Sequence, residues 1–461
     1  MEHERQMSRR TFLHLAIASA GAGVLTACGT PAAPTGQSSA STPAAAATQA
    51  PAQNNGVKLI FMSDTSNEAI IKVRNEWARK FSEANSGVTV EHQPVPQEYS
   101  TKIQTLYAAG TPPDIYRYLQ EITPIVTVAQ KKLNLALNSY VERDKYDLND
   151  FRPEAIELYR WENELYALPR DYGNQNLFYN INMLEAAGVQ PPTADWTDKS
   201  FSFEAFVDMA RKLTKKSGDR IEQYGCLVNR GWRPWASWVY NNGASVVSKN
   251  AQGLATEITL TDPAAIEALQ LLQDLMYKEQ LAPRPDIESE TGGFELFASG
   301  KVGMMITNPS DVVRFRSIEA FKWDVATLPI GKAERRGTGG GGTGWAIGNG
   351  SKSPDVAWEF LKFISSAEAQ LDEVSVGATT PSRVSVINSK EFADPNKPPV
   401  HVKAFAQAQE YVVRDPVHPR WPEIFQRVLV PNMDTLWGGT KTAAEVTQII
   451  KTEGDKLLKE G

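Results

Sequence analysis

The chain holds eleven tryptophans, and three of them crowd into Gly231-Trp232-Arg233-Pro234-Trp235-Ala236-Ser237-Trp238. Flat aromatic platforms suit non-covalent recognition, because their apolar faces meet C–H surface while a fence of amides, carboxylates and arginines elsewhere meets hydroxyls. A sugar ring, polar in its plane and apolar on its faces, is the kind of ligand such a set takes. The i, i+3 spacing is equally that of a buried helix stripe. Trp232 and Trp235 therefore have two readings, and Trp238 reads as core. A second unusual segment, Gly337-Thr338-Gly339-Gly340-Gly341-Gly342-Thr343-Gly344-Trp345, satisfies G-x-G-x-x-G in form. A dinucleotide loop needs a strand before it and a helix after it. Here charged Lys332-Ala333-Glu334-Arg335-Arg336 precedes and strand-like Trp345-Ala346-Ile347 follows, so no nucleotide cofactor is expected. Catalytic frames are missing too: there is no G-x-S-x-G and no H-E-x-x-H. The five histidines include no i, i+4 pair, which leaves no zinc signal. The chain reads as a binder, not an enzyme.

The N-terminus reads as an address. Ser8-Arg9-Arg10-Thr11-Phe12-Leu13 opens with adjacent arginines, an apolar run from Leu15 to Leu25 follows, and Leu25-Thr26-Ala27-Cys28 closes it. That is the layout of an export signal, with a twin-arginine start and an end that resembles a lipoprotein lipobox. The run is shorter than the ~20 residues a bilayer core requires. Cleavage at Cys28 would leave a lipidated N-terminus, and two acyl chains anchor stably. Residues 29–56 carry no charge and no large apolar side chain, so they read as a disordered tether. With Cys28 lipidated, Cys226 has no partner and reads as a small buried apolar residue.

About 400 residues remain, too many for one compact core and suited to two lobes. Hydrophobic content of 41% and charged content of 22% are those of an ordinary globular chain, and a net charge of −6 argues against nucleic acid. Val57-Lys58-Leu59-Ile60-Phe61-Met62 reads as a strand. Thr65 to Glu68 fits a capping box before a helical face of Ile70, Val73, Trp77 and Phe81. Val88-Thr89-Val90, a helix ending at Gly110, and a strand from Ile115 follow, the alternation of a parallel sheet with crossover helices. Asp262-Pro263 and Ser353-Pro354 mark helix starts, and Thr442 to Glu445 forms another capping box before the last helix.

Taken in order, several segments carry a resemblance. They are Ala108-Ala109-Gly110-Thr111-Pro112-Pro113-Asp114-Ile115, Leu165-Tyr166-Ala167-Leu168-Pro169, the run from Phe178 to Val189 with Pro191-Pro192-Thr193 and Trp196, Phe297 to Met305, Ala357 to Ile364, and Pro381-Ser382-Arg383. The set resembles the extracellular solute-binding proteins of ABC importers, family 1, which include maltodextrin-binding members. The resemblance implies an α/β, two-lobe periplasmic-binding-protein fold with a hinge of several crossings (type II-like). Lobe one would be 57–171 plus 330–380, and lobe two 172–329 plus 381–461. It also implies a monomer that holds a carbohydrate between its lobes and hands it to ABC permease subunits outside the cell membrane.

Position within that family nominates the ligand residues. Trp232 and Trp235 match the loop that brings an aromatic to the sugar. Asp64 and Thr65 follow the first strand, with helix capping as the other reading of Asp64. Tyr118 aligns with a sugar-stacking aromatic, followed by Gln120 and Glu121. The crossover supplies Asp171, Tyr172 and Asn174, although Gly173 stands where the maltodextrin relative has a carboxylate. Gly341 and Trp345 belong to the glycine-rich run, which either faces the cleft or serves as a flexible hinge. Arg383 and Trp421 complete the set, with lobe packing as their alternative. Asp64, Glu121 and Asp171 would also suit a polyamine, the main rival ligand on the same fold; a surface glycosidase or a sensory role stands further off.

Overall fold

The computed structural model describes residues 56–460 apart from 66, 378, 393 and 395. Cys28 and residues 1–55, with the signal and nearly all of the tether, lie outside the described residues. No helix among the described residues is long and apolar enough to cross a membrane.

Two five-stranded sheets organise the chain. In the first, Val57–Ser63 lies parallel to Val88–Pro94, with Leu59 opposite Val90, and parallel to Ile115–Leu119. The next strand, Thr343–Ile347, runs antiparallel to Ile115–Leu119, with Trp345 opposite Arg117, and Leu168–Pro169 closes the edge. The expected all-parallel alternation is therefore broken by a strand from far down the chain. That strand arrives from the second sheet's side and enters in the opposite direction. The second sheet pairs Asn176–Asn180 antiparallel with Val302–Thr307 and with Trp323–Ala326, and Val302–Thr307 parallel with Arg220–Leu227.

Each sheet has its own core. One cluster draws on Leu59 to Tyr172 and returns at Trp345 to Ala369; the other runs from Leu177 to Leu328 and from Val374 to Leu458. Cys226 is buried in the second. Burial lifts its thiol to about 12, so it stays protonated and unreactive. Helix Glu68–Ala84 lays Trp77, Ala78 and Phe81 on the first sheet. Its cap is Asn67, whose side chain accepts from the amides of Ala69 and Ile70, and not the predicted Thr65. The helix begins at Glu68, and only Asn67 lies close enough to reach the first free amides. Helix Pro263–Tyr277 starts as expected from Asp262 and Pro263, and helix Ala443–Lys459 closes a full capping box between Thr442 and Glu445.

Between the two cores the chain crosses side by side three times. Gly173 and Gly341 exchange two backbone hydrogen bonds, at 2.6 and 3.1 Å, and Tyr172 N–H donates to the Thr380 carbonyl at 3.2 Å. The glycine-rich run is explained here by close approach. A Cβ on Gly339 would lie 2.5 Å from the Arg233 carbonyl, on Gly340 2.4 Å from that of Gly173, and on Gly342 2.3 Å from that of Asp171. Only residues without a side chain let these three backbone segments meet at the crossing.

Candidate functional site

A cavity of about 920 Å³ opens between the two cores above these crossings, a size that holds several sugar rings. One wall is aromatic. Trp232 is the first residue of helix Trp232–Asn241, and Trp421 and Phe425 come from the helical stretch near the C-terminus; all three line the cavity. Trp232 meets Trp235 edge-on at 4.9 Å, Trp421 at 5.9 Å and Phe425 at 5.9 Å between ring centroids. Its indole N–H donates to Asp415 at 2.8 Å. The ring is thus held by both its edge and its polar tip.

The opposite wall is polar and deeply set. Arg74, from helix Glu68–Ala84, donates to Glu373 at 3.0 and 3.2 Å, and both side chains are 1% exposed. Glu373 also lies 2.8 Å from Arg170 Nε, an ion contact bent out of hydrogen-bond alignment. Arg170 turns Nη1 to Asp171, which accepts from the Thr343 amide at 2.6 Å and the Thr343 hydroxyl at 3.0 Å. Arg117 pairs with Asp64. Burial lowers the Arg74 guanidinium to about 10, against the pull of Glu373, so it remains a cation at neutral pH. Its Nη1 has no partner although it is buried beside the cavity, a donor without an acceptor.

One ion pair spans the groove. Arg233, next to Trp232, places Nη2 2.7 Å from Asp415 and 3.1 Å from Glu121, which follows the strand Ile115–Leu119 of the first sheet. Burial opposes the charge of Arg233, and the Asp415 and Glu121 carboxylates more than offset it, raising its pKa from the usual value.

The sequence pattern of bacterial extracellular solute-binding proteins matches residues 76–399. The chain belongs to that family. The solute-binding protein is 23% identical to an arabinooligosaccharide-binding protein of Bacillus subtilis over 71% of this chain and 73% of the relative. It is 24% identical to a lactose-binding protein of Rhizobium radiobacter, over 51% of this chain and 54% of that one. Its fold is that of an ABC substrate-binding protein of Listeria monocytogenes solved with cycloalternan, with a TM-score of 0.77, 23% identity and coverage of 88% and 99% of the two chains. The GacH receptor of Streptomyces glaucescens superposes with a TM-score of 0.74 at 24% identity, covering 88% and 99%. The architecture is the two-lobe periplasmic-binding-protein fold.

In the solute-binding protein the nominated residues divide. Gln120, Glu121, Asp171, Asn174, Trp232, Gly341 and Trp421 line the cavity together. Seven others do not. Tyr118 is buried in the first core and donates to the Thr123 carbonyl at 2.8 Å, and Tyr172 is buried in the same cluster. Trp345 sits in that core under the Arg74 guanidinium, 5.0 Å from its ring. Trp235 is 2% exposed beneath Trp232. Asp64 stands behind Arg117, and the Thr65 hydroxyl accepts from the Asn67 amide at 3.1 Å. Arg383 is a packing residue: it donates to Asp150 at 2.9 Å and to the Tyr146 hydroxyl at 2.6 Å, and stacks on Phe151 at 3.9 Å. Sequence reasoning passed over Arg74, Arg117, Arg233, Asp415 and Phe425. Only Arg233 carried a signal, since it stands between the tryptophans.

Proposed function

We propose that this solute-binding protein captures a carbohydrate in the cavity between its lobes and delivers it to the membrane subunits of an ABC importer. The observation that carries the reading is the wall of Trp232, Trp421 and Phe425 facing the polar floor of Arg74, Arg170 and Asp171. Apolar ring faces meet the first, hydroxyls the second. The names of the relatives, which bind arabinooligosaccharide and lactose, agree with it. The rival polyamine ligand needs free carboxylates, and Asp64, Glu121 and Asp171 are each already engaged by an arginine.

The lobes are roughly 57–171 with 330–380, and 172–329 with 381–461, with Tyr172 packed in the first core and Val374 in the second at the crossings. A sugar that touches both pulls their open–closed equilibrium shut, and the permease distinguishes the two states. The protein works as a monomer without a cofactor or metal. Residues 1–28 act as a twin-arginine lipoprotein signal, Cys28 takes the lipid, and residues 29–56 hold the lobes off the membrane. A thermal-shift screen against neutral oligosaccharides and spermidine tests the reading. A bound sugar raises the melting temperature with the logarithm of its excess over Kd. A shift with spermidine and with no sugar would overturn it.

A further inference from the structure

The groove does not end at the cavity. A second compartment of about 440 Å³ continues beyond Arg233, and the two share Gln120, Arg233, Gly341, Gly342, Asp415 and Val417 in their walls. Its lining differs in character. Four cations (Arg160, Arg233, Lys249 and Arg414) face two carboxylates, Glu157 and Asp415. Those carboxylates are committed. Glu157 lies 3.1 Å from Arg160, and Asp415 serves Arg233 and the Trp232 indole. Glu121, reaching in from the first compartment, is spent on Arg233 as well.

Lys249 and Arg414 are left over. Arg414 donates one N–H to the Glu157 carbonyl at 3.2 Å, and neither side chain forms an ion pair among the described residues. They feel one another: burial first and the Arg414 charge second lower the Lys249 amine from its ordinary value, against a smaller opposite pull from Asp415, which is itself paired with Arg233. Two like charges held near each other in a groove, in a chain of net charge −6, cost free energy that an anion would recover. Trp161 supplies a half-buried aromatic face in the same wall.

We propose that the second compartment is a subsite for a uronic acid residue at one end of an oligosaccharide, its carboxylate bound by Lys249 and Arg414 and its ring set against Trp161. A carboxylate suits the Arg414 fork, four of whose five N–H donors are uncommitted among the described residues. Neutral residues of the same ligand occupy the aromatic compartment, and Arg233 marks the boundary between them. The inference rests on the carbohydrate reading and sharpens it to an acidic oligosaccharide.

Calorimetric titration of the full chain with a galactotriose carrying one terminal galacturonic acid and with a glucuronic-acid-substituted xylotriose, each beside its methyl ester, tests it. Acid and ester share one sugar frame, and the ester replaces the carboxylate charge with a methyl group. At least one acid is expected to bind about tenfold or more tighter than its ester, with a preference that shrinks as salt rises. The double variant K249Q/R414Q should erase that preference while keeping the wild-type melting temperature. Equal binding of acid and ester, or a preference that survives in the double variant, overturns the subsite while the carbohydrate reading stands. Binding of neutral sugars alone overturns it equally. If no saccharide, neutral or acidic, binds at all, the carbohydrate reading fails and the subsite with it.

Discussion

Trp232 and Trp235 stand three residues apart in one helix and should fail in opposite ways when cut to alanine. Trp232 is half-buried, faces the cavity and is braced by Asp415, Trp421 and Phe425. A sugar ring laid on its free face removes roughly 60–80 Å² of apolar surface from water, worth about 1.5–2 kcal/mol at ~25 cal/mol per Å². W232A should therefore weaken binding of the best sugar about 10- to 30-fold, since each 1.4 kcal/mol is about a factor of ten. Its stability should fall much less than that of a core variant, because part of the indole is already in water. Trp235 is 2% exposed and lies beneath it, so W235A opens a cavity and costs about 3–5 kcal/mol of stability. The W235A protein that remains folded should bind within a few-fold of wild type. Urea unfolding and calorimetric titration on the same samples separate the two effects. Unchanged affinity in W232A, or a W235A variant that loses binding without losing stability, would refute the division of labour.

Three further outcomes follow from the packing. E373Q removes the carboxylate between Arg74 and Arg170, both deeply buried, and should cost about 3–5 kcal/mol in urea unfolding; the pair R74M/E373Q, which restores charge balance, should recover a substantial part. G342A places a methyl group 2.3 Å from the Asp171 carbonyl, so the crossing must shift, at about 1–3 kcal/mol and with weaker sugar binding; a variant as stable as wild type would show that the crossing is loosely packed. His92 contacts the Ser63 hydroxyl and the Asn75 side chain at 2.7 Å each, and burial lowers its pKa to about 4. The unfolded chain takes up that proton near pH 6.5 and the folded one does not, so stability is full above pH 6.5 and falls as the pH drops towards 4. Allowing for its partial exposure the loss is about 2 kcal/mol, and H92Q should flatten that part of the pH profile of unfolding.

Much of the scaffold was legible in the chain. Strands such as Val57–Ser63 carry an apolar run, here Leu59 to Met62, and helix starts at Asp262-Pro263 and Thr442 are written in residues that satisfy free amides locally. Local chemistry of that kind needs no knowledge of the partner. The ordered short motifs gave the family and the two-lobe fold for the same reason.

Which side chains face the groove was decided elsewhere. Trp232, Trp235 and Trp238 look alike in sequence, but Trp232 opens its helix, where side chains point back past the first turn, so it projects into the cavity while its neighbours are covered. Tyr118 and Trp345 carry the right chemistry and lie in the first core. Arg74 looks like a solvated helix residue because the carboxylate that permits its burial, Glu373, is 299 positions away. Likewise the glycines of 337–344 suggest flexibility, whereas their role is to let Arg233, Gly173 and Asp171 approach as backbone. A charge or an aromatic has the same local propensity whether buried or solvated; only the partner brought to it by the fold fixes which, and a one-dimensional pattern does not contain that partner.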